Sequence, residues 1–152
     1  MIPELEEGVL PEGVYSCTVD EVEQKFGRFS HSDRRPRLTE LLRSYIKAAD
    51  RAGVAVAVLI DGSYVTSKAE PNDIDLMLVL RSDFELTTEL SPMEYNVQSK
   101  RMVRKLYGFD VLTAVEGSGA YDEYLGLFSQ VRLDDPEQSK TRRRKGLLRI
   151  EL

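Results

Sequence analysis

Two apolar runs joined by a polar segment constrain the fold of this chain more than any other feature of its sequence. Residues 54–60 read VAVAVLI and residues 74–80 read IDLMLVL, with turn-forming residues on both sides of each run. Unbroken apolar runs of this length that are rich in β-branched residues are typical of strands with two buried faces. We therefore predict two strands that lie side by side in the interior of a sheet.

Amphipathic segments predict helices around these strands. Between residues 36 and 52, apolar side chains recur at spacings of three and four, which favours a helix with one buried face that ends at Gly53. Ser91 and Pro92 are typical of the first residues of a helix, and the apolar pattern that follows extends to about residue 106. Helical segments thus flank both predicted strands.

The C-terminal part predicts three more elements. Residues 109–115 form an expected third strand, residues 120 to about 130 a helix, and residues 147–152 a half-buried terminal strand. Together with the preceding elements they predict an α/β (α+β) fold, with a small mixed sheet and flanking helices that lie mainly on one side.

The length and composition predict one domain. A chain of 152 residues suffices for a single hydrophobic core, and 41% hydrophobic with 31% charged residues is typical of globular proteins. We assign residues 34–152 to this domain. Residues 1–33, rich in Glu, Gly and Pro, are expected to form an N-terminal arm packed on it.

Charge and cysteine content restrict the setting in which the chain works. Its single cysteine, Cys17, cannot form an internal disulfide, which favours a reducing, cytoplasmic compartment. No apolar run approaches the roughly 18 residues that would span a membrane. With a net charge of −5 and a pI near 5.0, the molecule should repel polyanions, so we expect no nonspecific DNA binding and only local contacts with nucleic acid.

Two aspartates stand where the second apolar run begins, an unfavourable place for charge. Asp73 and Asp75 are separated by one residue, and side chains at i and i+2 of a strand point to the same side. Two carboxylates that project together repel each other unless a cation lies between them. Carboxylate oxygens are ligands that Mg²⁺ prefers, and substrate phosphates often complete its coordination. The pair therefore predicts a site for Mg²⁺ or Mn²⁺ and a phosphate-bearing substrate.

A third carboxylate, that of Asp110, lies early in the apolar segment 109–112. Three carboxylates from neighbouring strands can hold two metal ions about 3.5–4 Å apart, which activates an attacking oxygen and stabilises a leaving one. An aspartate at the edge of a strand can also bind a backbone amide or an arginine. Both roles stay open for Asp110.

A glycine-serine turn, Gly62-Ser63, follows the first predicted strand. Glycine lets the backbone approach a phosphate closely, while the serine hydroxyl and the amides after it donate hydrogen bonds. Lys68 lies five residues beyond Ser63 and is a candidate cation for the same phosphates. The alternative for Lys68 is an exposed, solvated side chain.

The spacing of these motifs resembles that of a known superfamily. Gly62-Ser63, nine intervening residues and Asp73-Ile74-Asp75 are similar to the Gly-Ser-x(n)-Asp-x-Asp signature of polymerase-β-like nucleotidyltransferases, and Asp110 is similar to their third acidic residue. The order of elements over residues 36–115 also resembles the core of that superfamily. The chain as a whole resembles small bacterial nucleotidyltransferase-like domains.

The resemblance implies transfer of a nucleoside monophosphate from a nucleoside triphosphate to a hydroxyl acceptor, by a two-metal mechanism that releases pyrophosphate. Asp73 and Asp75 would hold both metal ions, and Asp110 would bind the catalytic one and help to activate the acceptor hydroxyl. Gly62 and Ser63 would bind the β and γ phosphates. A protein and a tRNA are both open as acceptors.

One departure from the signature favours an alternative. In the minimal enzymes of the superfamily, Gly-Ser is usually followed by a small residue, Arg and Gly, whereas residues 64–68 here read YVTSK. The alternative is a catalytically weak or inactive interaction module that binds a partner protein, such as a component of a toxin–antitoxin or phage-defence pair. The basic segment 140–145 (KTRRRK) either contacts substrate phosphates or RNA, or forms an exposed loop.

Overall fold

A five-stranded mixed sheet organises the part of the chain that the computed structural model describes, namely residues 1–28, 32–87, 89–130 and 144–152. The strands are β1 (Val14–Ser16), β2 (Ala55–Asp61), β3 (Asp75–Leu80), β4 (Asp110–Val115) and β5 (Leu147–Glu151). Their order in the sheet is β1-β5-β2-β3-β4. Strand β2 is antiparallel to both β3 and β5, while β1 with β5 and β3 with β4 are parallel pairs. The predicted mixed sheet, and the pairing of its two apolar strands, are confirmed.

Five helices lie within the described ranges. They are α1 (Val19–Phe26), α2 (Arg34–Ala52), α3 (Pro92–Gln98), α4 (Lys100–Tyr107) and α5 (Gly119–Phe128), together with a short 3₁₀ turn, Ser63–Val65. None of them is long and apolar enough to cross a membrane.

The single helix predicted from Ser91 to about residue 106 is wrong, because the segment divides into α3 and α4 at Ser99. The backbone of Ser99 is extended, with φ −69° and ψ 121°. Its hydroxyl accepts a hydrogen bond of 3.3 Å from the amide of Met102, so Ser99 acts as the N-cap of α4. A serine inside a helical pattern can take this role because its side chain replaces a helical backbone partner.

The two faces of the sheet bury different sets of side chains. One face packs against α1, α2, α3 and α4, through side chains that include Val58 and Leu76 of the sheet and Leu42 of α2. Residues of the opposite face, including Leu59 and Met77, pack against one side of α5. The alternation along β2 and β3 produces both sets, since successive strand residues point to opposite faces.

The N-terminal residues contribute to the same sheet and core. Strand β1 pairs with β5, which places it at one edge of the sheet. Helix α1 begins with a capping box in which Thr18 and Glu21 exchange side-chain and backbone hydrogen bonds. It buries Val22 and Phe26 completely in the cluster that also contains the residues of α2.

Candidate active site

A row of three aspartates crosses the sheet where β2 ends and where β3 and β4 begin. Asp61 is paired with Asp75 in the β2–β3 register, and Asp75 is paired with Asp110 in the β3–β4 register. Residues that face each other across neighbouring strands project from the same face of a sheet. Asp61 is buried, Asp75 half-buried and Asp110 exposed. We refer to these three residues as the carboxylate row, whose exposure increases from β2 to β4.

Asp73 lies two residues before the first residue of β3, and its carboxylate contacts the glycine-serine turn. Strand β3 begins at Asp75, so the alternation of a strand does not set the direction of the Asp73 side chain. Hydrogen bonds set it instead, because Asp73 Oδ1 accepts from the amide of Ser63 at 3.2 Å and from its hydroxyl at 2.9 Å. That Asp73 and Asp75 project together from one face stays a prediction. Asp73 is tied to the glycine-serine turn.

The backbone of the turn fits closely against the start of β3. Gly62 has a φ of +91°, a conformation that side chains rarely allow. A Cβ atom at Gly62 would lie 2.9 Å from the amide nitrogen of Asp75. The hydroxyl of Ser63 also accepts a hydrogen bond of 3.2 Å from the amide of Asn72. The structure thus joins Ser63 to Asp73 by hydrogen bonds and packs the backbone of Gly62 against Asp75.

A buried arginine from α2 holds the segment that follows this turn. The Arg35 side chain is fully buried and donates to the backbone carbonyl oxygens of Phe26, Tyr64, Thr66 and Lys68. Burial lowers the pKa of Arg35 to about 10, which leaves the guanidinium charged at neutral pH. Hydrogen bonds to these carbonyls offset the cost of burying the charge and fix the path of residues 64–68.

Two further contacts from α2 support the same segment. The hydroxyl groups of Thr39 and Tyr64 lie 2.5 Å apart in the buried space beneath the turn. Arg34 donates to the side-chain oxygen of Asn72 at 3.0 Å and to the carbonyl of Pro71 at 3.4 Å. The first turns of α2 therefore hold both ends of the connection between Gly62 and β3.

The contacts that hold Lys68 are hydrogen bonds of its backbone and do not involve its ammonium. Its carbonyl oxygen accepts from Arg35, and its amide donates to the Thr66 hydroxyl at 3.2 Å. The residue is exposed, and its ammonium forms no ion pair with the residues that the structure describes. Among the described residues, no hydrogen bond or ion pair joins the Lys68 ammonium to Ser63 or the carboxylate row, and its role in phosphate binding stays a prediction.

The buried end of the carboxylate row carries its own cation. Lys145 Nζ lies 2.6 Å from Asp61 Oδ1, and the two side chains are only 14% and 5% exposed. Burial raises the pKa of Asp61, whereas the ammonium of Lys145 acts in the opposite direction and Asp73 adds to the rise. Lys145 is the last residue of the basic segment 140–145, of which residues 140–143 lie outside the described ranges.

The exposed end of the row is paired with an arginine. Arg104 of α4 donates to Asp110 Oδ1 at 2.5 Å, and the two side chains are 68% and 60% exposed. The arginine alternative for Asp110 is therefore realised in this structure. Ion pairs as exposed as this one contribute at most about 1 kcal/mol, so a competing cation can displace the guanidinium at little cost.

The donor set fits a hard divalent cation, although the side chains as placed do not yet surround one. Asp73, Asp75 and Asp110 offer carboxylate oxygens at neighbouring positions, and such oxygens are the preferred ligands of Mg²⁺ and Mn²⁺. Among the described residues, no group of three acidic, histidine or cysteine side chains is close enough together to hold a metal ion. Ser63 engages Asp73, and Arg104 engages Asp110. A cation that binds Asp110 through Oδ1 would have to compete with Arg104.

Sequence reasoning missed three residues of this region, and two of them carried a usable signal. Asp61 is a charge at the end of an apolar run, the same argument that singled out Asp110. Arg35 lies seven residues before Leu42, on the buried stripe of α2. Lys145 had no such signal, because only the folded chain brings it to Asp61.

Comparison with known proteins identifies one family. A family model described as "Family of unknown function (DUF6932)" matches residues 3–151. No curated protein and no solved structure matches the chain. The match covers almost the entire sequence and includes every residue of the candidate site.

Proposed function

The chain belongs to the DUF6932 family, and we propose that it is a Mg²⁺-dependent nucleotidyltransferase that transfers a nucleoside monophosphate from a nucleoside triphosphate to a hydroxyl acceptor. The observation that carries the proposal is the glycine-serine turn, in which Ser63 is hydrogen-bonded to Asp73 and Gly62 packs against Asp75. It couples a turn suited to phosphate with carboxylates suited to a cation.

The glycine-serine turn would hold the β and γ phosphates. Gly62 is buried, and its missing side chain lets the turn pack closely against the start of β3, while the half-buried Ser63 supplies a hydroxyl beside it. Arg35 fixes the backbone of residues 64–68, so these residues lose little conformational entropy when a ligand binds. A preorganised turn of this kind favours the alignment of the α phosphorus with an acceptor.

The carboxylate row would serve the acceptor side of the reaction. The acceptor hydroxyl oxygen attacks the α phosphorus, and the bond from that phosphorus to the oxygen bridging to the β phosphate breaks. The electron pair of that bond leaves with pyrophosphate. Asp110, the most exposed member of the row, would accept the proton of the hydroxyl. Asp73, Asp75 and Asp110 would hold Mg²⁺ or Mn²⁺, which when bound neutralises the charge of the phosphates.

A transfer assay tests the proposal. The protein is incubated with each α-labelled nucleoside triphosphate, Mg²⁺ or Mn²⁺, and the RNA and protein of a cell extract. We expect one labelled acceptor, and we expect Asp75→Asn to lower the transfer rate by a factor of about 10² or more. Asp50→Asn, an exposed aspartate of α2, is the matched control and should retain the activity. Equal labelling by wild type and Asp75→Asn would overturn the proposal.

One observation favours a second candidate function, an interaction module without turnover. Two members of the carboxylate row are already neutralised, Asp61 by Lys145 and Asp110 by Arg104. A site with internal counterions has less need of a metal ion. Capture of a partner protein that survives Asp75→Asn, without labelling of any acceptor, would favour this candidate over the enzyme.

A further inference from the structure

One exposed face of α4 carries all the basic residues of that helix. Lys100, Arg101, Arg104 and Lys105 are each exposed. At about 100° per residue, these four positions fall within an arc of about 140° around the helix axis. The buried Val103 lies outside that arc and packs into the core. In a protein with a net charge of −5, this face is a local concentration of positive charge.

The positive charges of this face are mostly left unneutralised by the protein. Arg104 pairs with Asp110. Within the described part of the chain, Lys100, Arg101 and Lys105 have no carboxylate oxygen within the 4.0 Å that defines an ion pair. Cations arranged in this way release condensed counterions when they bind a polyanion, which is the main source of affinity for a phosphate backbone.

The basic face is joined directly to the candidate site. Helix α4 ends at Tyr107, and Asp110 begins β4 three residues later. Arg104 bridges the two, because it belongs to the basic arc and contacts the exposed member of the carboxylate row at 2.5 Å. A ligand that lies on this face therefore reaches the row at its exposed end.

From this juxtaposition we propose that α4 docks the phosphate backbone of a polynucleotide, whose terminal hydroxyl is the acceptor. The role as acceptor rests on the proposed function, while the docking itself rests on α4 alone. The arc extends about 7.5 Å along the helix axis, so its cations lie at more than one level along a bound backbone. Arg104 then has phosphate to bind when it releases Asp110.

The chemistry favours a polynucleotide over an acidic protein as the occupant. A regular series of phosphates presents several charges to a rigid helix at once, and Arg and Lys both bind phosphate well. RNA and DNA share this backbone, so the test includes single strands of each with the same sequence. An acidic peptide of equal charge serves as the third probe.

The experiment measures binding of labelled single-stranded RNA, DNA and polyglutamate by fluorescence anisotropy over a range of salt concentrations. It compares wild type with Lys100→Gln/Arg101→Gln/Lys105→Gln, which leaves Arg104 in place. The matched control is Arg37→Gln/Lys47→Gln/Arg51→Gln, which removes the same charge from exposed positions of α2. Glutamine retains the helix propensity at all six positions.

We expect the α4 variant to bind the polynucleotide at least tenfold more weakly at low salt. The slope of log affinity against log salt should become less steep by about 2, since each phosphate contact contributes about 0.7 for single strands. The control variant should bind as wild type does. Preference for RNA over DNA, or the reverse, would identify the source of the phosphates.

The docking proposal would be overturned if wild type bound neither polynucleotide, or if the α4 variant and the control variant bound the polynucleotide equally weakly. It would also be overturned if wild type bound polyglutamate as tightly as the polynucleotide. The same holds if the α4 variant lost nucleoside triphosphate binding by the same factor as polynucleotide binding. Calorimetry with a nonhydrolysable triphosphate on the same proteins separates this inference from the proposed function. Polynucleotide binding through α4 without any triphosphate binding would retain the docking surface and overturn the transferase.

Discussion

The two ends of the carboxylate row are built in opposite ways. At the β2 end, Asp61 and Lys145 form a buried ion pair beside a turn whose continuation is held by Arg35. At the β4 end, Asp110 and Arg104 form an exposed ion pair at the edge of the sheet. Both carboxylates are neutralised by a cation, but only the first pair is shielded from water.

This difference separates the part of the site that is fixed from the part that can change. Charges in a buried pair cannot be rearranged cheaply, because removing either partner leaves an uncompensated charge out of water. An exposed pair exchanges partners at a cost of about 1 kcal/mol or less. We therefore infer that the β2 end of the row, with its turn, positions phosphate rigidly. At the β4 end, Asp110 can exchange Arg104 for a cation or a substrate group.

At the β2 end of the row, we expect Arg35→Met to lower the free energy of unfolding more than any other change. The change leaves four backbone carbonyls without their buried donor, each at a cost of about 1–3 kcal/mol. We expect the free energy of unfolding to fall by about 4 kcal/mol or more in urea titration, or the protein not to fold. Arg34→Met is the matched control, since Arg34 is exposed, and it should cost less than about 1 kcal/mol. Similar small losses for both variants would show that Arg35 is not the support of the turn.

A somewhat smaller effect, with a defined pH dependence, is expected for Lys145→Met. Removing the ammonium leaves the carboxylate of Asp61 buried and unpaired, which should cost about 3 kcal/mol at pH 7. The double variant Asp61→Asn/Lys145→Met should recover most of this loss, because it buries no charge. If the double variant were as unstable as Lys145→Met, the role of Lys145 as the counterion of Asp61 would be contradicted.

The pH dependence follows from the direction of the Asp61 pKa. Burial raises it above the ordinary aspartate value of 3.8, so the folded state binds this proton more tightly than the unfolded state. The contribution of Asp61 to stability is therefore favourable at low pH and is lost as pH rises through the raised pKa. Lys145→Met raises that pKa further, so its stability loss relative to wild type should be larger at a pH above the raised pKa than at a pH below it. An equal loss at both pH values would contradict this account.

The smallest effect on stability is expected at the β4 end of the carboxylate row. Arg104→Gln removes an exposed pair and should change the free energy of unfolding by less than about 0.5 kcal/mol. It also removes the competitor for Asp110, so the rise in melting temperature produced by Mn²⁺ should be larger than in wild type. Lys105→Gln, exposed on the same helix, is the control for the loss of charge alone. If Mn²⁺ raised the melting temperature equally in both variants, Arg104 would not compete with a cation for Asp110.

The sequence predicted the elements that build the site because their signals are local. The apolar runs 54–60 and 74–80 indicate paired strands. Gly62-Ser63 and Asp73 belong to one predicted motif, and the structure joins Ser63 to Asp73 by a hydrogen bond. The hydrogen bonds of Asp73 to Ser63 could not be predicted, because they join residues ten positions apart along the chain.

The counterions of the row could not be predicted for a related reason. Lys145 reaches Asp61 only because β5 pairs with β2, a contact between residues far apart in sequence. Arg104 reaches Asp110 because the chain turns at Gly108, where φ is +77°. The apolar periodicity predicted one continuous helix across Ser99. It could not predict the break, because the capping hydroxyl of Ser99 does not change the spacing of the apolar residues.

Calorimetric titration of a nonhydrolysable nucleoside triphosphate and the matching monophosphate, both with Mg²⁺, tests the central claim most directly. We expect the triphosphate to bind at least tenfold more tightly, about 1.4 kcal/mol, because the turn holds the β and γ phosphates. Ser63→Ala should narrow this difference, whereas Ser44→Ala, an exposed serine of α2, should not. Equal affinities for the two nucleotides, or no binding of either below millimolar concentration, would contradict the assignment of the Gly62-Ser63 turn and the carboxylate row to nucleotidyl transfer.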